Sequence, residues 1–326
     1  MKFLTLSQQL LLSLVACILL MFSSGCNSQK FPGKPTVALV VKTLNNPFFN
    51  DMEEGALQVA DSLELNLLVQ AAEREVDVEK QVQIIENLIQ RRVDAILLTP
   101  SGSSEVVPVI LKANNAGIPI INLDTKINMD LLKSDGGQIA TYIGSDNYEG
   151  GRLAGRYLVE QLGGKGKVAI LEGIPGHETA DSRQKGFLDG IAEAPGIQVV
   201  TSQPANWERN MGYTVFQNIL QSHSDLNAVF AANDLMALGA VEAIAASGKN
   251  YSDIIVVGFD AHSEAIASIR NGEMDATIAQ NPVQIGRMGV LQAYKLLNGG
   301  SVPEEITVQI KLIAKESLTN NNIATD

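Results

Sequence analysis

Cysteine is nearly absent from the 326 residues: there are two, Cys17 and Cys26. Both sit at or before the point where an N-terminal leader would be removed, which leaves the folded part without disulfides or thiol chemistry. Histidine is scarce too. His177, His223 and His262 are far apart in the chain, and none stands at a metal-ligand spacing. Basic charge is in deficit, with Lys+Arg 24 against Asp+Glu 36 and a formal net charge of −12. Such a surface repels phosphate backbones and anionic lipid, so nucleic acid is excluded as a partner, and the plainest role of the charge is solubility. After residue 22 there is no apolar run long enough to span a bilayer. The chain also lacks a Gly-x-Ser-x-Gly elbow, a paired zinc motif, a dinucleotide glycine fingerprint and an Asp-x-Asp-x-Asp calcium loop. No metal and no cofactor is expected.

What is present begins with a leader. Lys2 supplies a positive n-region, Leu10 to Phe22 is an apolar run of h-region length, and Ser23-Ser24-Gly25 leads into Cys26. Gly25-Cys26 resembles a bacterial lipoprotein cleavage site, with Ser23 standing where that pattern prefers Leu; an ordinary secretory cleavage nearby is the alternative. The expectation is a signal peptide over 1–25, lipid attachment at Cys26 as the sole link to a membrane, and a tether over 26–35 broken by Pro32, Gly33 and Pro35. Loss of Lys2 would take the mature charge to −13 (−12 − 1).

From Thr36 onward, short apolar β-branched runs alternate with helical patterns. Strands are predicted over 36–41, 65–69, 94–99, 119–124, 141–145, 167–172, 198–203, 228–233, 254–260, 276–280 and 307–313. Helices are predicted over 47–62, 78–90, 148–162, 207–221 and 234–246, with a further helix carrying Arg183. Continuous rather than alternating hydrophobicity means strands covered on both faces, hence parallel sheets in a doubly wound α/β fold. Eleven strands exceed one ordinary sheet, and the length favours two lobes. Gly163-Gly164-Lys165-Gly166 superficially resembles a phosphate loop, but it lacks the spacing and leads into a strand, so it reads as a helix C-terminal cap.

In parallel α/β sheets, ligands bind beyond the carboxyl ends of the strands. Applied residue by residue, that rule collects Lys42 and Asn46 with Phe48 and Phe49 after the first strand, and Asp124 after the fourth. It adds Arg183 on the helix after 167–172, Trp207 after 198–203, Asn233 after 228–232, Asp260 after 254–259 and Gln280 after 276–279. Carboxylates, amides and a guanidinium satisfy hydroxyls that both donate and accept, while aromatic rings cover the apolar C–H faces of a sugar ring. Each position has a plainer reading: Asn233 and Asp234 as helix N-caps, Phe48 and Trp207 as core. It is their coincidence at one sheet edge that argues for a ligand.

The segments TLNNPFF (43–49), INLD (121–124), SQPANWER (202–209), FAANDLMALGA (230–240), VVGFDA (256–261) and ATIAQNPVQIG (276–286) closely resemble the periplasmic ribose- and D-allose-binding proteins of ABC importers. VVKTLNNPF, NLDTKINMDLLK and SQPANW lean toward the D-allose type; Lys42 and Thr125 stand where the ribose type has Ser and Arg, and Phe49 where the allose type has Trp. The resemblance, from about Val37 to Ala314, implies a type I periplasmic binding protein fold with a three-segment hinge. It places 36–145 with 281–308 in one lobe and 146–280 with 309–326 in the other. It implies capture of a monosaccharide by closure, delivery to an ABC permease with its ATPase, a monomer in the periplasm or cell envelope, and the ten residues above as the site. Ribose, fructose or a polyol as ligand, and a sensor coupled to chemotaxis or a kinase, stay open.

Two rival classes are weaker. Asp124 and Asp260 could be drawn as a glycosidase pair, but Lys42 and Arg183 are expected to keep both ionised. A sugar-repressor regulator would need a helix-turn-helix headpiece where this chain has a leader.

Overall fold

In the computed structural model, residues 33–319 are described. The predicted leader (1–25), the acceptor Cys26, most of the tether and residues 320–326 lie outside them.

Two six-stranded sheets form the frame. The first comprises β1 (Thr36–Thr43), β2 (Asn66–Ala72), β3 (Ala95–Leu98), β4 (Ile120–Leu123), β5 (Thr141–Ser145) and β11 (Glu305–Val308). Its order is β2-β1-β3-β4-β5-β11, and every pairing is parallel. The second comprises β6 (Lys165–Glu172), β7 (Gly196–Pro204), β8 (Ala228–Ala231), β9 (Ile255–Asp260), β10 (Ala276–Ala279) and β12 (Lys311–Ala314). Its order is β7-β6-β8-β9-β10-β12, parallel except for the antiparallel pair β10–β12. Helices α1 (Pro47–Ser62), α2 (Val78–Gln90), α3 (Val107–Asn115) and α4 (Met129–Ser134) alternate with the first five strands. Helices α5 (Asn147–Gln161), α6 (Glu178–Ile191), α7 (Arg209–Ser222), α8 (Asp234–Ala246) and α9 (Ser263–Asn271) follow in the second unit. Then α10 (Pro282–Leu297) returns to pack on α1, and α11 (Lys315–Thr319) ends the described chain.

Central strands are buried throughout because helices cover both faces. Val37 to Thr43 of β1 are all buried, and so are β3, β4 and β8. Separate apolar clusters fill the two sides of each sheet. The chain passes between the sheets three times: after β5, after β10, and between β11 and β12. The last crossing corrects the predicted strand 307–313. That stretch is two strands, β11 in the first sheet and β12 in the second, interrupted at Gln309–Ile310. An unbroken run of strand-forming side chains conceals a crossover, since propensity reports a half-buried extended backbone and not which sheet accepts it.

The Gly163-Gly164 turn caps α5. Both residues have positive φ (61° and 77°), and their N–H groups return to the Glu160 and Val159 carbonyls. Helices α5 and α6 approach closely at glycines. A Cβ on Gly151 would strike the Arg183 carbonyl, and one on Gly186 the Tyr148 carbonyl. This contact brings Arg183 within reach of Asn147.

Candidate binding site

The carboxyl ends of the two sheets face one another across a small cavity lined from both. All ten residues selected from the sequence line it, together with Glu75 and Thr179.

The first sheet contributes a cationic end. Lys42 occupies the end of β1, is 2% exposed, and holds its Nζ 3.6 Å from Glu75 Oε2. The same ammonium lies 5.9 Å from the ring centres of Phe49 and Trp207, so it sits between aromatic groups of both lobes. Asn46 is the N-cap of α1: its Oδ1 accepts from Phe48 N at 3.0 Å, and its Nδ2 donates to Glu75 Oε1 at 2.9 Å. Phe48 and Phe49 meet edge to face, 5.4 Å between centres. Asp124 directly follows β4 with φ 59°, its carbonyl accepting from Tyr142 Oη at 2.7 Å and its Oδ2 from Thr125 Oγ1 at 3.0 Å.

The second sheet contributes the guanidinium. Arg183 Nε donates to Asn147 Oδ1 (2.9 Å) and Nη1 to the Ala232 carbonyl (2.7 Å), while the plane stacks 3.7 Å from the Phe259 ring centre. Of five N–H groups, three remain for a ligand and for Asp260, whose Oδ1 is 3.6 Å from Nη1. Gln280 Nε2 donates to that same Oδ1 at 2.8 Å. Asn233 is both cap and lining residue: Oδ1 accepts from Met236 N (2.9 Å) and Nδ2 donates to the Trp207 carbonyl (3.2 Å), leaving one N–H. Trp207 has φ 67° and its indole lies against Gly173, where any Cβ would collide with the ring. Three lining residues thus hold left-handed or strained backbone, Asp260 at φ 117° included, a distribution expected of functional positions.

Polar capacity is left over in this cavity. Asp124 Oδ1, Trp207 Nε1 and Gln280 Oε1 are buried without a hydrogen-bond partner in the protein. Buried polar atoms are nearly always paired, so three orphans around one cavity are unused hydrogen-bonding capacity. They are two acceptors and one donor.

Burial governs the electrostatics. It lifts the Asp260 carboxyl to about 7, against the opposing pull of Arg183 and the Gln280 hydrogen bond. This corrects the expectation that Arg183 and Lys42 hold Asp260 in the ordinary ionised range, since desolvation outweighs both cations. Burial also raises Glu75, opposed by Lys42 and Asn46, and pulls Arg183 down, opposed foremost by Asp260. Asp234 next to Asn233 does not line the cavity. It is buried and accepts from Thr277 Oγ1 (2.7 Å) and His262 N (2.8 Å), so its role is to fix the loop after β9.

Glu75 was missed by sequence reasoning although it follows β2 at the same edge. Within Glu73-Arg74-Glu75 it reads as a solvated turn, and only its burial distinguishes it. Thr179, in the first turn of α6, carried no signal of its own; its Oγ1 meets Thr125 Oγ1 at 3.1 Å across the lobes. Further contacts between the lobes are Glu178 N to Ser103 Oγ (3.2 Å) and, at the rim, Arg74 Nη2 to Glu208 Oε1 (2.8 Å).

The periplasmic binding protein domain family matches residues 37–301. The chain belongs to that family. It falls in the branch of the ribose- and D-allose-type periplasmic sugar-binding proteins. The ribose import binding protein of Bacillus subtilis is 39% identical over 290 residues, 89% of each chain. The D-allose-binding periplasmic protein of Escherichia coli is 35% identical over 278 residues, 85% of this chain and 89% of the other. A crystal structure of an ABC transporter periplasmic solute binding protein from Actinobacillus succinogenes with bound D-allose matches with a TM-score of 0.83 at 40% identity, covering 88% of this chain and 100% of that one. Whole-chain identity does not separate the ribose type from the D-allose type, at 39% and 35% for the two named binding proteins and 40% for the D-allose-bound structure. The matched relatives are solute-binding proteins of transporters and not enzymes, which speaks against the glycosidase reading of Asp124 and Asp260. Among the described residues no helix is long and apolar enough to cross a membrane.

Proposed function

We propose that this chain is the sugar-capturing component of an ABC importer, and that its ligand is a neutral monosaccharide, a hexose of the D-allose kind ahead of ribose. The observation that carries this reading is the set of unpartnered buried atoms Asp124 Oδ1, Trp207 Nε1 and Gln280 Oε1 around one small cavity. Two acceptors and one donor together fit hydroxyl groups, each of which can both donate and accept. With Lys42 and Arg183 against Glu75, Asp124 and Asp260, the lining charges nearly cancel, which favours a neutral ligand over a sugar phosphate. The relatives whose names specify ribose and D-allose limit the sugar class. The preference for a hexose rests on the buried Lys42–Glu75 pair, extra polar capacity at the first-lobe end of the cavity.

In this reading the lobes comprise 36–145 with 281–308 and 146–280 with 309–326, and open and close about the three crossings. The monomeric closed form delivers sugar to the permease and its ATPase. Residues 1–25 are removed and Cys26 is acylated. Cys26→Ser is expected to move the protein from the membrane fraction to the soluble fraction of the envelope; persistence in the membrane fraction would refute the anchor.

The ligand reading is tested by calorimetry with a sugar panel, read in parallel by fluorescence. Trp207 is the single tryptophan of the chain. D-Allose or D-ribose is expected to bind and to shift its emission, because the indole N–H gains a partner. Sugar phosphates are expected not to bind. Binding of a sugar with no spectral change would remove Trp207 from the site, and failure of every neutral sugar would overturn the reading.

A further inference from the structure

Lys42 and Glu75 form a buried pair whose separation does not fit an ordinary ion pair. Charge-assisted hydrogen bonds of this type are about 2.7–2.9 Å long, whereas Lys42 Nζ and Glu75 Oε2 are 3.6 Å apart. Neither partner's hydrogen-bonding capacity is spent on the other. Glu75 Oε1 is taken by Asn46 Nδ2, which fixes the carboxylate plane and leaves Oε2 toward Lys42. Asn46 itself is immobilised by capping α1. Both residues line the cavity, and both are almost completely buried. A buried lysine and glutamate that needed only each other would gain by closing the gap, because desolvation of the two charges is recovered only through good geometry.

We propose that Glu75 and Lys42 act together as a clamp for one sugar hydroxyl, which donates to Glu75 Oε2 and accepts from Lys42 Nζ, and that Glu75 is a specificity-determining residue of the site. This rests on the sugar-binding reading above. A hydroxyl is the smallest group that can satisfy a cation and an anion from one atom, so the pair rejects a ligand that presents hydrogen there. Absence of the hydroxyl strands both charged groups, and sites of that kind discriminate far more strongly than apolar contacts do. Asn46 then serves as a positioning residue that holds Glu75.

The test is calorimetry on the full chain and on Glu75→Gln, with D-allose, D-ribose and the monodeoxy analogues of whichever of the two binds more tightly. In the unaltered protein, removal of the clamped hydroxyl is expected to weaken binding about 10- to 100-fold. In Glu75→Gln that single penalty is expected to shrink to within about threefold while the other deoxy penalties persist. Lys42→Gln is expected to collapse the same penalty, and it carries the test if the Glu75 variant does not fold. A uniform loss for every sugar, with all penalties retained, would show Glu75 to be a structural support and overturn the proposal. Unchanged affinities throughout would overturn it equally. If the unaltered protein binds neither sugar, it is the sugar reading that fails, before any variant is measured.

Discussion

Arg183→Ala is expected to reduce sugar binding below detection and to lower the melting temperature by several degrees in the same protein. The two effects have different origins. Binding falls because the guanidinium N–H groups left for a ligand and for Asp260 disappear, and Asp260 loses its cation. Truncating one partner of a buried charge pair costs about 2–5 kcal/mol, about 30- to several-thousand-fold in affinity. Stability falls because Asn147 Oδ1 and the Ala232 carbonyl, both buried, lose their donor, and Phe259 loses the plane stacked 3.7 Å above it. Arg183→Lys separates the parts. It keeps the charge beside Asp260 but cannot reach Asn147 and Ala232 together, because an ammonium has no planar fork. The lysine variant is therefore expected to recover part of the stability and little of the affinity, with calorimetry and thermal melting as the two readouts. Recovery of affinity in the lysine variant would mean that Arg183 acts as a charge alone.

The same residue shows where sequence reasoning stops. The strand-end rule placed Arg183 at the cavity because the rule concerns topology, and the topology was written in continuous apolar runs such as Thr36–Thr43. Helices 47–62, 78–90 and 234–246 fall at the predicted residues; Asn46 and Asn233 cap two of them through their side chains, and Asp77 holds the N-cap position of the third without such a bond. The partners of Arg183 were not legible. Asn147 reaches it only because α5 and α6 touch at Gly151 and Gly186, and the Ala232 carbonyl has no side-chain signature. For the same reason the sequence assigned Arg183 a binding role and no structural one. Asp260 was misjudged in its charge, since the balance of burial against Arg183 and Gln280 is a property of the closed cavity. Glu75 was hidden by its charged neighbours. Residues are legible when their role follows from the strand they terminate, and obscure when it follows from which other segment covers them.

His177 illustrates the second kind and yields the other large effect, an acid-sensitive contribution to closure. It precedes α6, is buried, and interacts with the Ser101 backbone, which follows β3 in the other sheet. Burial, with the nearby Lys42 ammonium, pulls the imidazole from its ordinary 6.5 down to about 3, and the hydrogen bond that the ring donates to the Ser101 backbone only partly opposes this. Opening the lobes would separate His177 from Ser101 and return the ring to water. A base whose closed-state pKa lies below its open-state pKa supports closure fully above the higher value, and that support is lost as pH falls through it. Below about pH 6.5 the histidine by itself should weaken closure by about 1.4 kcal/mol per pH unit, a contribution of about 100-fold by pH 4.5. Asp260, Glu75 and Asp234 act in the opposite direction, since their raised carboxyls take up protons in the closed form on acidification. Those carboxyls are common to the unaltered protein and to His177→Gln, so the ratio of the two affinities isolates the histidine. That ratio should be constant above pH 7 and shift toward the glutamine variant about tenfold per unit below pH 6. His262, also buried and lowered to about 4 with Asp51 across the interface as its largest opposing charge, is retained in both proteins and cancels likewise. A ratio that stays flat from pH 7.5 to pH 4.5 would mean that the His177 ring keeps the same surroundings whether the lobes are open or closed.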